Sequence, residues 1–345
     1  MYTDLSLGLS LTFIAAGLAA LAWSSDFFVD GAAALARAFG ISPLVVGMVV
    51  IGFGTSAPEL CVSTMSGLSG HANLSLGNAY GSCVFNIAVI LAVSALIAPL
   101  AVRPSVALTA GTCLTALSLF SLWLLRDGAC TRAEGLVLLG LFAALLPLYC
   151  WCDQKAKVGR DAAAAPAGYA GGPSKAPSAR RLWLPLVKVL VGLSVLIGSS
   201  HVLVWGAVDF AKFCGVSDLV VGLTIVAAGT SLPELASAVA SARRGEREFV
   251  LGNIIGSNFF NMLAVVGLAT SISPLVSGPS GGPAFSPYVL TRDLPLLAAL
   301  SLSVMCFGVN WRHPRQPGLI RRREALLWLV VFAGYSLLMI WQETR

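Results

Sequence analysis

Residues 51–60 read IGFGTSAPEL, and residues 226–235 read VAAGTSLPEL. Each copy sets a proline and then a glutamate, Pro58–Glu59 and Pro233–Glu234, inside a strongly apolar stretch. A charge is costly in such surroundings, and a proline removes a helix hydrogen bond and strains the turn before it. So expensive a feature, kept twice at an offset of 175 residues, organises the reading of everything around it.

The duplication extends well beyond these motifs. Residues 17–100 align with 192–275 without a gap, and 33 of the 84 pairs are identical. GNAYGSCVFN (77–86) pairs with GNIIGSNFFN (252–261), and GISPLVVG (40–47) with GVSDLVVG (215–222). The chain is therefore an internal repeat of two long units.

Composition sets the phase in which these units fold. Of 345 residues, 57% are hydrophobic and 11% charged, against roughly 25% charged in a soluble domain. Apolar runs of about 20 residues recur, long enough to cross a bilayer as helices. Outer-membrane barrels lack such runs. The net charge of +6 sits in short loops, as topology demands of a membrane protein, and does not indicate nucleic acid. The eight cysteines show no CxxC and no metal-ligand spacing with histidine, and are read as small core residues. The first apolar stretch, Leu5 to Trp23, lacks a basic leading region and runs into the repeat, so it is expected to be retained rather than cleaved.

Ten helical segments follow, near 6–37, 42–68, 73–98, 105–126 and 132–152, then 181–213, 217–243, 247–272, 288–309 and 323–341. The first helix either continues past the membrane or breaks around Asp26 to Phe39. The expected fold is an all-α polytopic membrane protein, ten transmembrane helices in two inverted five-helix repeats. The halves are 1–152, with its motif at 54–86, and 182–345, with its motif at 229–261. Between them, 153–181 reads as a flexible cytoplasmic linker rich in Ala, Gly, Pro and Lys/Arg. Five spans per half insert the second half upside down. Alternating loops place 16 Lys/Arg on one side and five on the other. The rich side is cytoplasmic, and both termini face outward. Inverted repeats with matching interrupted helices predict a secondary transporter with its site at the midplane.

The motif residues suggest what such a site would hold. Thr55 and Glu59 are four apart and share a helix face, with Ser56 on the neighbouring one; Ser82 and Asn86 repeat this spacing on the next helix. Carbonyls freed by Pro58 add oxygen, and Gly77 and Gly81 leave room for close helix approach. Asn78 is a cap or a cross-helix hydrogen bonder. The second half repeats the set as Thr230, Ser231, Glu234, Ser257 and Asn261. Brought together, these residues offer hard oxygen ligands suited to Na⁺, Ca²⁺ or Mg²⁺, not to zinc or copper. Two ionised glutamates are balanced by one Ca²⁺, two Na⁺ or two protons, which suggests exchange of a divalent cation for monovalent ones. The plainer alternative is protonated glutamates merely hydrogen-bonded to their neighbours, with hydroxyls bonded back to their own helices.

On these motifs the chain resembles the calcium/cation antiporter superfamily, the sodium/calcium exchangers, and more closely its short prokaryotic members. The resemblance spans both halves. It implies alternating access around four clustered sites, one for Ca²⁺ and three able to take Na⁺, gated by sliding of the first helix of each half. Residue by residue, it implies Glu59 and Glu234 as central Ca²⁺ ligands shared with Na⁺. Thr55 and Thr230 would add oxygens to the same centre. Ser56, Ser82, Ser231 and Ser257 would serve flanking Na⁺ sites, and Asn86 and Asn261 would line the middle. Backbone carbonyls of Gly52 and Ala227 are further candidates. Some members carry Asp where this chain has Asn261. Two Asn keep the site at −2, which implies electrogenic exchange at the family stoichiometry and argues against potassium dependence.

The expected function is thus a Ca²⁺/Na⁺ antiporter, with Ca²⁺/H⁺ exchange as the alternative. The positions where proton-coupled relatives carry extra acidic or histidine residues hold Cys83 to Asn86 and Asn258 to Asn261 here. An intramembrane enzyme is disfavoured: no histidine recurs near the motif serine, HExxH is absent, and one catalytic centre gives no reason to duplicate every polar group. No cofactor is expected, and the partners are Ca²⁺, Na⁺ (H⁺ in the alternative) and the lipid bilayer. Neither nucleic acid nor a protein partner is indicated. The expected location is the plasma (inner) membrane. Outside the repeated motifs, Asp26 and Asp30 have His201 and Trp205 as counterparts and are placed at an interface or water-filled edge. His201 is read as structural, His71 as a loop residue, and Arg321 to Arg323 as an anchor of the last helix.

Overall fold

The apolar runs form helices along nearly their whole length. The computed structural model describes residues 7–164, 179–214, 227–276 and 283–343. Its helices are α1 (Leu7–Phe39), α2 (Pro43–Thr55), α3 (Ala57–Leu68), α4 (Ala72–Ile97), α5 (Pro104–Leu124), α6 (Arg132–Ala164), α7 (Ala179–Phe213), α8 (Ala227–Gly229), α9 (Leu232–Arg243), α10 (Arg247–Ile272), α11 (Val289–Gly308) and α12 (Arg322–Glu343). Among the described residues, eight helices are long and apolar enough to cross a membrane, or nine if the bent pair α2–α3 is one span. Much of the expected segment 217–243 lies outside the described residues.

Local chemistry sets the boundaries. Pro43 and Pro104 open α2 and α5, where a missing N–H costs nothing. Gly70 and Gly245, equivalent in the repeat, end α3 and α9 with φ of 78° and 72°, a conformation that favours glycine. The only strands among the described residues, β1 (Leu100–Val102) and β2 (Gly318–Ile320), pair antiparallel and tie the end of α4 to the start of α12.

The first helix takes the unbroken of its two expected forms, and the 153–181 segment is helical in part. The first helix does not break near Asp26: α1 runs unbroken for 33 residues, since nothing in its sequence removes a backbone hydrogen bond. The 153–181 segment is helical at both ends, because α6 continues to Ala164 and α7 begins at Ala179. Alanine supports that continuation. Asp153 pairs with Arg103 at 3.0 Å, and Gln154 bonds the backbone of Ser42 and Gly40. Residues 165–178 lie outside the described residues.

Glycines let equivalent helices touch. On α1, Gly17 lies against Leu203 and Gly31 against Lys188 and Val189; on α7, Gly206 meets Ser10 and Phe13. Contact numbers that rise on one helix as they fall on the other make α1 and α7 antiparallel. The same holds for α5 and α11, where Gly111 meets Met305 and Gly308 meets Ala107. Between α2 and α10 the backbones themselves touch: Gly252 faces the carbonyl of Leu44, and Gly256 that of Met48. The corresponding partners of Gly77 and Gly81 in the repeat, around 219–223, lie outside the described residues.

The surface is apolar and the centre polar. Leu18, Trp23, Leu136, Leu190, Val330 and Leu337 are exposed, while Glu59, Glu234, Asn86 and Asn261 are buried. This inverts the soluble pattern and suits a lipid solvent. The reading of the cysteines as core residues holds for Cys83 and Cys130 only. Cys61, Cys152, Cys214 and Cys306 are exposed, and all eight are free. Hydropathy does not separate a lipid-facing position from a core one, since both are apolar.

Candidate cation-binding site

Both proline motifs break their helix at the residue before the new helix begins. Ser56 stands between α2 and α3 with φ −83°, ψ 9°, and Ser231 stands before α9 with φ −91°, ψ 9°. The bend between α2 and α3 is 45°. Pro58 and Pro233 fall in the first turn of the new helices, where proline is tolerated, and Glu59 and Glu234 follow in the same turn. A helix N-terminus favours a carboxylate. Thr55 and Glu59 therefore do not share one continuous helix face as the spacing suggested; they flank the break, both fully buried.

The breaks bring the two halves together reciprocally. Ser56 Oγ donates to Glu234 Oε1 at 2.7 Å, and Ser231 Oγ donates to Glu59 Oε1 at 3.0 Å. Ser82 Oγ lies 3.5 Å from Glu59 Oε1 and 3.1 Å from Ser231 Oγ. Ser257 Oγ donates to the Gly52 carbonyl at 3.2 Å. A Cβ on Gly52 would stand 2.9 Å from both the Asn253 carbonyl and the Ser257 amide nitrogen, so only glycine lets that carbonyl approach. Ala227, its counterpart, opens α8.

Asparagines brace the breaks. Asn78 Nδ2 donates to the Glu59 carbonyl at 3.1 Å, and Asn253 Nδ2 to the Glu234 carbonyl at the same distance. Asn78 is thus the cross-helix bonder its sequence position suggested. Thr230 Oγ1 donates to Asn78 Oδ1 at 3.3 Å, whereas Thr55 Oγ1 donates back to Ile51 O at 2.9 Å. Asn86 and Asn261 sit in short π-helical turns, Asn86–Leu91 and Phe260–Val265; such turns are frequent at functional sites. Asn86 Nδ2 donates to Asn258 Oδ1 at 2.9 Å. Asn258 escapes sequence reasoning because its repeat counterpart is Cys83, and matching the halves passes over it.

What remains unpaired defines the chemistry. Among the described residues, Glu59 Oε2, Glu234 Oε2, Asn86 Oδ1 and Asn261 Oδ1 are buried with no hydrogen-bond partner. Buried polar atoms are nearly always satisfied, and each exception asks for an explanation. Four unpaired oxygens around two facing carboxylates can be satisfied by a hard cation. No group of three or more His, Cys, Asp or Glu gathers among the described residues, so the donors here are mainly carboxylates, hydroxyls, amides and carbonyls.

The residues outside the motif fall at the edge. Arg244, at the end of α9, reaches Asp26 Oδ1 at 3.4 Å and Asp30 Oδ1 at 3.3 Å, and Lys188 Nζ reaches Asp30 at 2.5 Å. These side chains are 27–48% exposed, as expected of an edge rather than of the centre. His71 precedes α4 in a loop. Arg322, at the start of α12, donates to the Leu96 carbonyl.

The fold and these buried oxygens define a multi-pass membrane protein of the cation-exchanger class. The family model for sodium/calcium exchanger protein matches residues 9–151 and 184–341, and the chain belongs to that family. It is 36% identical over 328 residues to CaxA of Alkalimonas amylolytica, covering 95% of this chain and 97% of that one. It is 34% identical over 314 residues to the inner membrane protein YrbG of Escherichia coli, covering 90% and 91%. The sodium/calcium exchanger MaX1 of Methanosarcina acetivorans is 27% identical over 348 residues, covering 91% and 96%. The solved structure of the sodium-calcium exchanger NCX_Mj, soaked with 10 mM Na⁺ and zero Ca²⁺, superimposes with a TM-score of 0.76 at 27% identity, covering 97% of this chain and 99% of that one.

Proposed function

We propose that this protein exchanges Ca²⁺ for Na⁺ across the plasma (inner) membrane by alternating access, with the cations bound between Glu59 and Glu234. The observation that carries this is the reciprocal pairing of Ser56 with Glu234 and Ser231 with Glu59, which leaves one oxygen of each carboxylate buried and unpaired. Each half alone supplies half a site. Ser82, Ser257, Thr55, Thr230, Asn86 and Asn261, with the carbonyls of Gly52 and Ala227, complete the ligand set.

The architecture follows from the same reading. The antiparallel pairing of α1 with α7 and of α5 with α11 supports ten spans in two inverted halves, 1–152 and 182–345, joined through 153–181 on the cytoplasmic side. Both termini then face outward. Two carboxylates favour Ca²⁺ electrostatically, while neutral amides at 86 and 261 add no further charge. With Ca²⁺ the site is neutral; with three Na⁺ it carries one positive charge, so exchange would be electrogenic. The sodium/calcium exchangers MaX1 and NCX_Mj support the choice of ions, and the inner membrane protein YrbG supports the location.

The test is radiolabelled Ca²⁺ uptake into proteoliposomes. Uptake that requires an outward Na⁺ gradient is the expected result. Uptake driven by a pH gradient alone would replace Na⁺ by H⁺, and no Ca²⁺ flux under either gradient would overturn the calcium assignment.

A further inference from the structure

We propose that Asn258 is a positioning residue that fixes the Asn86 amide, and that Cys83 in the equivalent place offers Asn261 only a weaker thiol partner. The inference rests on the cation-binding reading and specifies which of its oxygens is set in advance.

The repeat offset carries Asn86 onto Asn261 and Cys83 onto Asn258. A fully symmetric centre would match the Asn86–Asn258 bond with a bond from Asn261 to residue 83. That residue is cysteine, whose thiol faces Asn261 and lies 3.9 Å from the Asn258 carbonyl. All four side chains are buried, none more than 4% exposed.

An amide has one end that accepts and one that donates. With Nδ2 of Asn86 held by Asn258 Oδ1 at 2.9 Å, its own Oδ1 is the end left for a cation, and that atom is unpaired. Asn261 faces the Cys83 thiol instead, with neither amide atom in a standard hydrogen bond among the described residues, and a thiol is a poor substitute for an amide. A cation binds only the oxygen end. Asn86 therefore meets it pre-oriented by an amide, whereas Asn261 is held less firmly, by a thiol. Partners of this kind, one shell out, typically govern metal affinity 10- to 100-fold.

The experiment is a double-mutant cycle on the purified full-length protein, reading apparent Ca²⁺ affinity from the shift of its unfolding midpoint. Asn258→Ala is expected to weaken Ca²⁺ by about tenfold or more. In an Asn86→Ala background the same change should have little further effect, because Asn258 acts through Asn86. Equal losses in both backgrounds would mean a purely structural role and would overturn the proposal. Asn258→Asp, whose carboxylate can only accept, is expected to keep the affinity near or above wild type; a loss as large as that of alanine would overturn the proposed orientation. Should Asn258→Ala not fold, Asn258→Asp and Cys83→Asn carry the test. Cys83→Asn replaces the weak thiol holder by an amide and is expected to tighten Ca²⁺ several-fold, and an unchanged affinity would overturn the inequivalence. If wild type responds to Mn²⁺ or Sr²⁺ but not to Ca²⁺, the ion assignment fails and the same cycle is read with the responding ion. A midpoint that no cation moves would overturn both readings.

Discussion

The breaks at Ser56 and Ser231 are near copies, but the helices that back them are not. At the breaks, backbone angles, proline placement and serine–glutamate bonds repeat across the halves. Behind them, α10 is buried along the whole of its most apolar stretch, while its counterpart α4 is buried for 67% of it. The carboxylate-bearing turns bond to one another across the halves, so a change in either alters the same cluster. The supporting helices meet different neighbours, and there the copies have diverged, as at Cys83 against Asn258.

The largest expected effect tests the symmetric part. Glu59→Gln and Glu234→Gln should each reduce Na⁺-driven Ca²⁺ uptake to background, because each removes half of the charge that balances Ca²⁺. Uptake that survives one of the two would break the equivalence of the halves. Next comes packing. Gly252→Ala would push a Cβ to 2.4 Å from the Leu44 carbonyl and 2.8 Å from Gly47 Cα, backbone atoms that cannot swing away. Destabilisation of about 1–3 kcal/mol, read as a lowered unfolding midpoint, is expected.

The serines sharpen the comparison further. Ser56→Ala removes one bond to Glu234, whereas Ser231→Ala removes a hydroxyl that bonds Glu59 and lies 3.1 Å from Ser82 Oγ. Hydrogen bonds to charged groups contribute roughly 1.5–3 kcal/mol, so both should raise the KM for Na⁺, Ser231→Ala more. Equal effects would show that Ser82 does not depend on Ser231. The smallest effect is expected at the edge. Arg244→Gln breaks pairs with Asp26 and Asp30 that are partly exposed, and such pairs are worth about 0–1 kcal/mol. Unfolding midpoints should barely move.

Much of this was legible in the sequence because membranes restrict the options. Apolar runs had to become helices, and Pro58 and Pro233 had to interrupt them, so Glu59 and Glu234 stood out directly as candidates. Duplication then pointed to Ser56, Ser82 and Asn86 and their partners. The same method concealed Asn258, whose significance lies in not being repeated. It also could not assign Thr55, whose hydroxyl turns back to Ile51 while Thr230 reaches Asn78. Spacing gives a face, not a rotamer. The exposed cysteines were misread because lipid and core are equally apolar, and the helical ends of 153–181 because alanine-rich sequence suits both a linker and a continued helix.

The most direct measurement is the anomalous scattering of Sr²⁺, as a stand-in for Ca²⁺, in crystals of this protein. The account predicts a single strong peak within coordination distance of carboxylate oxygens from both Glu59 and Glu234, and its loss in Glu59→Gln. A peak bound to one glutamate alone, or lying elsewhere in the molecule, would contradict a site shared between the halves.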